Sequence, residues 1–204
     1  MIVRDAYRFL VPLAILALAA FALNLTVPGL LLSALFAFVA FFFRNPVRTI
    51  PADPRAIVSP ADGKVVRIER VGNVTKMSIF LSLFNVHVNR SPIAGRIQAV
   101  DYRPGKFLVA FNEKASTDNE RNIIMVSDGR ITIVFTQIAG IVARRIVFWK
   151  KVGDSVAKGE LVGLIRFGSR VDVLFPAGTE ATVAVGDRVK GGSTRIGTIK
   201  ESNV

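Results

Sequence analysis

The stretch Arg166-Phe167-Gly168-Ser169-Arg170-Val171-Asp172-Val173-Leu174-Phe175 decides how the chain is read. Its apolar and β-branched residues predict a strand that enters a tight Gly-Ser step and a second strand that leaves it. Gly-Ser pairs commonly mark turns. A bent Gly-Ser bond also sets the hydroxyl beside its own upstream carbonyl, the geometry for an N-to-O acyl shift in which the chain attacks itself.

Outward from this step the chain from Arg44 onward reads as short strands rich in Val, Ile and Phe. They are expected over Val65–Arg70, Met77–Leu83, Ile97–Tyr102, Ile123–Val126, Ile131–Gln137, Gly140–Phe148, Leu161–Phe167, Val171–Phe175, Ala181–Val185 and Ile196–Lys200. Gly, Pro, Asn or Asp bound them, and Asp128-Gly129 signals a hairpin. No long amphipathic helix is expected, although Leu81–Asn89 has room for a turn or two. A faint repeat runs through the domain. The unit from Val152-Gly153-Asp154 to Ile165 returns, with one insertion, from Val185-Gly186-Asp187 to Ile199. Ser59-Pro60-Ala61-Asp62-Gly63-Lys64-Val65 is echoed by Ser91-Pro92-Ile93-Ala94-Gly95-Arg96-Ile97. These glycine-turn units resemble the hammerhead halves of biotinyl and lipoyl domains. The expected fold is mainly β, a barrel-sandwich-like domain behind an N-terminal hydrophobic helical hairpin; that architecture fixes no function.

The hydrophobic content of 51% is concentrated in the first 43 residues. Residues 9–23 and 30–43 are almost wholly apolar, and Asn24-Leu25-Thr26-Val27-Pro28-Gly29 separates them. Each run is shorter than the ~20 residues that span a bilayer. Together they predict a hairpin over residues 1–43, spanning or lodged in one leaflet. Arg4 and Arg8 precede it and Arg44 and Arg48 follow, so the positive-inside rule puts both ends on the cytoplasmic side of the cell membrane. A cleaved signal peptide is the alternative, disfavoured by the second apolar run. The net charge is +12, nearly all of it after the hairpin, which suits an anionic lipid surface. Nucleic acid ranks last as a partner, because the few aromatics fall at core strand positions. There are no cysteines and one histidine, His87, which excludes disulfides, a cysteine nucleophile and a multi-histidine metal site.

Three residues carry candidate chemistry. Asp62 sits in Pro-Ala-Asp-Gly-Lys, where a tight turn is the simpler explanation. His87 lies in Leu83-Phe84-Asn85-Val86-His87-Val88-Asn89-Arg90; a lone histidine is often structural, yet it titrates near neutrality and is the natural proton carrier. Ser169 is the candidate nucleophile, and a serine needs a base and an orienting carboxylate. Sequence alone does not bring the three together.

Three motifs in order, Ser59-Pro60-Ala61-Asp62-Gly63-Lys64-Val65, Phe84-Asn85-Val86-His87-Val88-Asn89-Arg90 and Arg166-Phe167-Gly168-Ser169-Arg170-Val171-Asp172-Val173, follow a hydrophobic N-terminus. In these the chain resembles the short form of phosphatidylserine decarboxylase, a pyruvoyl-dependent family, with archaetidylserine decarboxylase-like relatives included. The resemblance runs from about Phe42 to near the C-terminus. Long forms carry Leu-Gly-Ser-Thr at the cleavage site, where this chain has Phe-Gly-Ser-Arg. Gly191-Gly192-Ser193-Thr194 is a decoy: it follows the strand that should come after the site and sits in the turn of the repeat. A second histidine of the long form is replaced here by Asn or Phe.

The resemblance implies a domain over residues 44–204 that cuts itself between Gly168 and Ser169. His87, oriented by Asp62, would help the Ser169 hydroxyl attack the Gly168 carbonyl. The large chain 1–168 and small chain 169–204 would remain associated as a heterodimer, with a covalent pyruvoyl group made from Ser169 as cofactor and no metal. That ketone would form a Schiff base with the serine headgroup, release CO₂ and leave an ethanolamine headgroup. The headgroup chemistry is the same for ester and ether lipid tails. Arg90, Arg144, Arg145 and Arg170 are candidates to pair the lipid phosphate or carboxylate; surface solvation is the plainer explanation for them. The competing reading is a membrane-anchored biotinyl- or lipoyl-like carrier or adaptor without catalysis. It lacks an exposed lysine at a hairpin tip.

Overall fold

A computed structural model of the protein describes residues 1–105, 119–140, 145–166 and 169–200. The chain divides into two compact units, Met1–Val47 and Arg48–Val204.

The first unit is a helical hairpin of α1 (Tyr7–Ala22) and α2 (Thr26–Phe42). Asn24 reverses the chain at φ 58°, a left-handed conformation that Asn tolerates. Gly29 lets α2 approach α1 closely, since a Cβ there would lie 2.6 Å from the Phe21 ring. The open end is tied by Val3 N–H donating to the Phe43 carbonyl (3.0 Å) and Asn45 N–H to the Met1 carbonyl (2.7 Å). Phe9 stacks on Phe43 beside them. Leu16, Leu18, Leu23, Leu30 and Leu31 are exposed. Among the described residues one helical segment, Arg4–Ala22, is long and apolar enough to cross a membrane. The 17 residues of α2 extend about 26 Å, somewhat less than a bilayer core of about 30 Å.

The second unit is antiparallel β. Numbered along the chain, its main sheet orders eight strands as β13 (Arg188–Val189), β2 (Gly63–Val71), β3 (Val74–Leu81), β11 (Ser169–Phe175), β7 (Thr132–Ala139), β6 (Arg121–Ser127), β5 (Gly95–Arg103) and β9 (Ser155–Val156). The sheet curls into a half-barrel. Two smaller sheets order β4 (Val88–Arg90), β10 (Leu161–Ile165) and β8 (Ile146–Phe148), and β1 (Ala56–Val58), β14 (Arg195–Ile199) and β12 (Thr179–Ala181). Side chains alternate across a strand. Met77, Ile79 and Leu81, Val171, Val173 and Phe175, and Ile133, Phe135 and Ala139 therefore share one buried core. Each large apolar side chain contributes roughly 1.5–3 kcal/mol by leaving water.

The faint repeat becomes two matching halves. Val65 N–H donates to the Asp187 carbonyl and Gly186 N–H to the Val65 carbonyl (2.9 and 2.8 Å). Ile97 makes the same pair of bonds with Asp154 and Gly153 (2.9 and 2.8 Å). Val189 registers with Gly63 as Val156 does with Gly95. The Ser59 hydroxyl donates to the Ala61 carbonyl at 2.6 Å, and that of Ser91 to the Ile93 carbonyl at 2.7 Å. Gly63 and Gly95 are glycine for one reason: a Cβ would fall 2.2 Å from the Phe80 carbonyl oxygen or 2.3 Å from that of Ser127.

Some expected elements differ. Leu81–Asn89 contains no helix. The Asn85 side-chain oxygen accepts both the Ser82 N–H and its hydroxyl at 2.8 Å; such local bonding competes with a helix, and Val88–Arg90 then form β4. The strand expected at Ala181–Val185 occupies Thr179–Ala181 instead, where β12 pairs with β14. Of Gly140–Phe148, Ile146–Phe148 is strand and residues 141–144 lie outside the described residues.

Candidate active site

Ser169 opens β11, the strand held between β3 and β7, in register with Leu81 on one side and Ala139 on the other. It is fully buried, and among the described residues its hydroxyl has no hydrogen-bond partner. A buried hydroxyl left unsatisfied costs about 1–3 kcal/mol, and the described residues offer this one no bond. Phe167 and Gly168, and with them the bond expected to break, lie outside the described residues.

The segment before Ser169 leaves β10 at Ile165, whose N–H donates to the His87 carbonyl at 3.2 Å. Leu81 pairs with Ser169, and His87 with Ile165. The loop 82–86 thus starts beside Ser169 and delivers His87 beside Ile165. His87 is 2% exposed. Its Nδ1 lies 3.0 Å from the Asn85 carbonyl oxygen. A carbonyl only accepts, so Nδ1 carries the proton and Nε2 is the basic nitrogen.

Asp62 is placed differently from expectation. Its carboxylate accepts Arg48 Nη2 at 2.8 and 2.7 Å and the Gly191 N–H at 2.8 Å. Among the described residues it makes no hydrogen bond to His87. Arg90 stands beside this pair: its N–H donates to the Pro60 carbonyl (2.9 Å) and its Nη1 to the Gly159 carbonyl (2.8 Å). Burial, then repulsion from Arg48, holds the Arg90 guanidinium below its ordinary pKa, while Asp62 opposes both. Arg170 projects from the opposite sheet face to Ser169 and lies 3.0 Å from Asp172, which Lys76 also approaches at 3.1 Å. Arg145 is exposed, and its carbonyl accepts the Arg166 N–H at 3.2 Å. Arg144 lies outside the described residues.

Three further features were not anticipated. In sequence Arg48 is only a charge flanking the hairpin. The buried amides Asn122, Gln137 and Asn89 form a chain, Asn122 to Gln137 at 3.1 Å and Gln137 to Asn89 at 2.9 Å, that joins β6 and β7 to β4. Asn119 and Glu120, both buried, engage Ala139. Nothing in local sequence distinguishes these residues from surface polar ones. Among the described residues no group of three or more His, Cys, Asp or Glu is placed to hold a metal.

The model of the family described as phosphatidylserine decarboxylase matches residues 35–197. The chain belongs to the phosphatidylserine decarboxylase family. A phosphatidylserine decarboxylase proenzyme of Solibacter usitatus is 58% identical over 167 residues, covering 82% of this chain and 80% of its own. That of Carboxydothermus hydrogenoformans is 47% identical over 205 residues, covering 97% and 96%. That of Desulfotalea psychrophila is 46% identical over 171 residues, covering 80% of each. The family match includes Asp62, His87 and Ser169, and it favours an enzyme over a carrier domain.

The family's pyruvoyl group would have to arise at position 169. The residues there fit it: the side chain is small and buried, its hydroxyl makes no bond among the described residues, and its strand neighbours Leu81 and Ala139 are apolar.

Proposed function

We propose that the protein is a self-cleaving phosphatidylserine decarboxylase that converts phosphatidylserine to phosphatidylethanolamine and CO₂. The observation that carries this reading is the buried, uncommitted Ser169 hydroxyl at the head of a central strand. The 81–87 connection brings His87 to the same end of the sheet.

In maturation the His87 Nε2 takes the Ser169 hydroxyl proton as Oγ attacks the Gly168 carbonyl. The C–N bond breaks and its nitrogen takes a proton, so an ester replaces the amide. Removal of the residue 169 Cα proton then expels Gly168 as a carboxylate, and the dehydroalanine left behind takes up water and loses ammonia to give the pyruvoyl end. The Asp62–Arg48 pair fixes the Gly191 turn and the neighbourhood of Arg90, so Asp62 acts at a remove from the imidazole.

When present, the pyruvoyl carbonyl supplies the electron sink for loss of CO₂ from an amine-bearing carbon. The chain supplies the remainder. Leu81 and Ala139 keep water from the reacting end, which favours departure of a charged carboxylate. Protonated His87 Nε2 returns a proton to the headgroup carbon. Arg90 and Arg145 are cations for the anionic headgroup, and Arg170 is held in the ion pair with Asp172.

The products 1–168 and 169–204 stay together as a heterodimer, because β11 runs between β3 and β7 and every other strand after it pairs with the large chain or with its own neighbour. We read the matched halves as hammerhead-like units of a barrel-sandwich domain over residues 44–204. The hairpin over residues 1–43 tethers that domain to the cytoplasmic side of the cell membrane, whose anionic lipids suit the basic chain.

The test is decarboxylation in phosphatidylserine vesicles. Wild type forms phosphatidylethanolamine, and hydroxylamine, which captures ketones, abolishes it. Activity retained by Ser169→Ala would refute the assignment.

A further inference from the structure

Ile165 and Ser169, the paired residues that flank residues 166–168 in sequence, each have a strand partner. Ile165 registers with Ile146 of β8, and Ser169 registers with Ala139 of β7. One dipeptide holds both partners. The Glu120 carbonyl accepts the Ala139 N–H at 3.0 Å, and its carboxylate Oε1 accepts the Ile146 N–H at 3.2 Å. Asn119 Nδ2 donates to the Ala139 carbonyl at 2.7 Å. With both amide groups of Ala139 turned toward this dipeptide, Ala139 and Ser169 form the closer, non-hydrogen-bonded kind of antiparallel pair. Asn119 is 1% and Glu120 5% exposed. Burial, then the neighbouring Glu120 carboxylate, raises the Tyr102 pKa. A buried carboxylate is costly unless its oxygens are bonded in this way.

We infer that Asn119 and Glu120 form a positioning clamp that sets the distance between the two strand ends across which the self-cleavage takes place; the inference rests on the scission proposed above. The carboxylate works by reach, from the start of β6 to the start of β8. Geometry of this kind matters to rate, since a misplacement of about 1 Å can cost about 100-fold. Glu120 exchanges no proton with the reacting bond and is a positioning residue.

Full-length wild type, Ser169→Ala, Glu120→Gln and Glu120→Asp are synthesised and their conversion into two chains is followed on denaturing gels from pH 6 to 9. Gln keeps an oxygen at the same reach for the Ile146 N–H. E120Q is expected to cleave within about threefold of wild type, with the same pH profile. Asp keeps the charge but is one methylene shorter, and E120D is expected to cleave at least about tenfold more slowly. In the Ser169→Ala background both variants keep the slow amide exchange of the main sheet. E120D cleaving at the wild-type rate overturns the clamp. So does E120Q slower than E120D, which would assign the effect to charge, and so does loss of main-sheet protection in E120D, which would assign it to unfolding. A wild type that never cleaves overturns the scission and the clamp together, whereas a cleaving wild type with an unaffected E120D overturns the clamp alone.

Discussion

Replacing Gln137 with Leu cuts the amide chain at its middle. Gln137 Nε2 donates to Asn89 Oδ1 at 2.9 Å and its Oε1 accepts Asn122 Nδ2 at 3.1 Å, and all three residues are at most 2% exposed. Leucine leaves one buried acceptor and one buried donor unpaired, at about 1–3 kcal/mol each. Burying an apolar side chain of similar size returns about 1.5–3 kcal/mol. The expected net loss is about 1–3 kcal/mol of unfolding free energy. Asn122 Oδ1 has no partner among the described residues, so Asn122→Leu should cost less than Gln137→Leu. The double variant should fall short of the sum by about 1 kcal/mol or more, as expected of residues sharing a bond. Chemical denaturation in detergent, in the uncleaved Ser169→Ala background, measures all four corners of the cycle. Gln137→Leu within about 0.5 kcal/mol of its parent, or strict additivity with Asn122→Leu, would refute the reasoning. Asn89 lies two residues from His87, so the same substitution should also slow chain cleavage in the Ser169 protein.

Gly163→Ala should destabilise the domain by about 1–3 kcal/mol in the same denaturation assay, because its Cβ would sit 2.3 Å from the Val147 carbonyl oxygen; an unchanged midpoint would contradict the close approach of β10 and β8. Burial alone would raise the Glu160 pKa, but Lys150 and the Ala157 N–H outweigh it and hold the carboxylate below its ordinary value. A depressed folded pKa gives stability that is present above the unfolded value of about 4.3 and is lost as pH falls through the folded one. Glu160→Gln should therefore lose less stability than its parent between about pH 5 and pH 3, and parallel acid limbs for the two proteins would remove this contribution.

The legible parts of the fold were those with local signals. Asp128-Gly129 does join β6 to β7, with Gly129 at φ 91°. The Val-Gly-Asp and Ser-Pro echoes, each weak alone, find one another in space as matched pairs. Short strands were missed where the alternation had no room to register: Ala56–Val58 and the two-residue β9 and β13 exist only through their partners. Val88–Arg90 was obscured by the apolar and short polar residues around it, which suit a helical turn until Asn85 caps Ser82. At the site, Ser169 and His87 stood out by chemistry. Arg48 did not, because its carboxylate partner is 14 residues away and the turn that completes the pair is 129 residues from Asp62. Glu120 was hidden for the same reason: its partners Ala139 and Ile146 are backbone groups, which carry no mark in sequence.

The central claim is that residue 169 ceases to be serine. Intact mass of the purified full-length protein measures this directly. Two species are expected, one ending at Gly168 and one running from 169 to 204, the smaller lighter than a serine-started chain by one ammonia. A single uncleaved mass, or a small chain that still begins with serine, would contradict it.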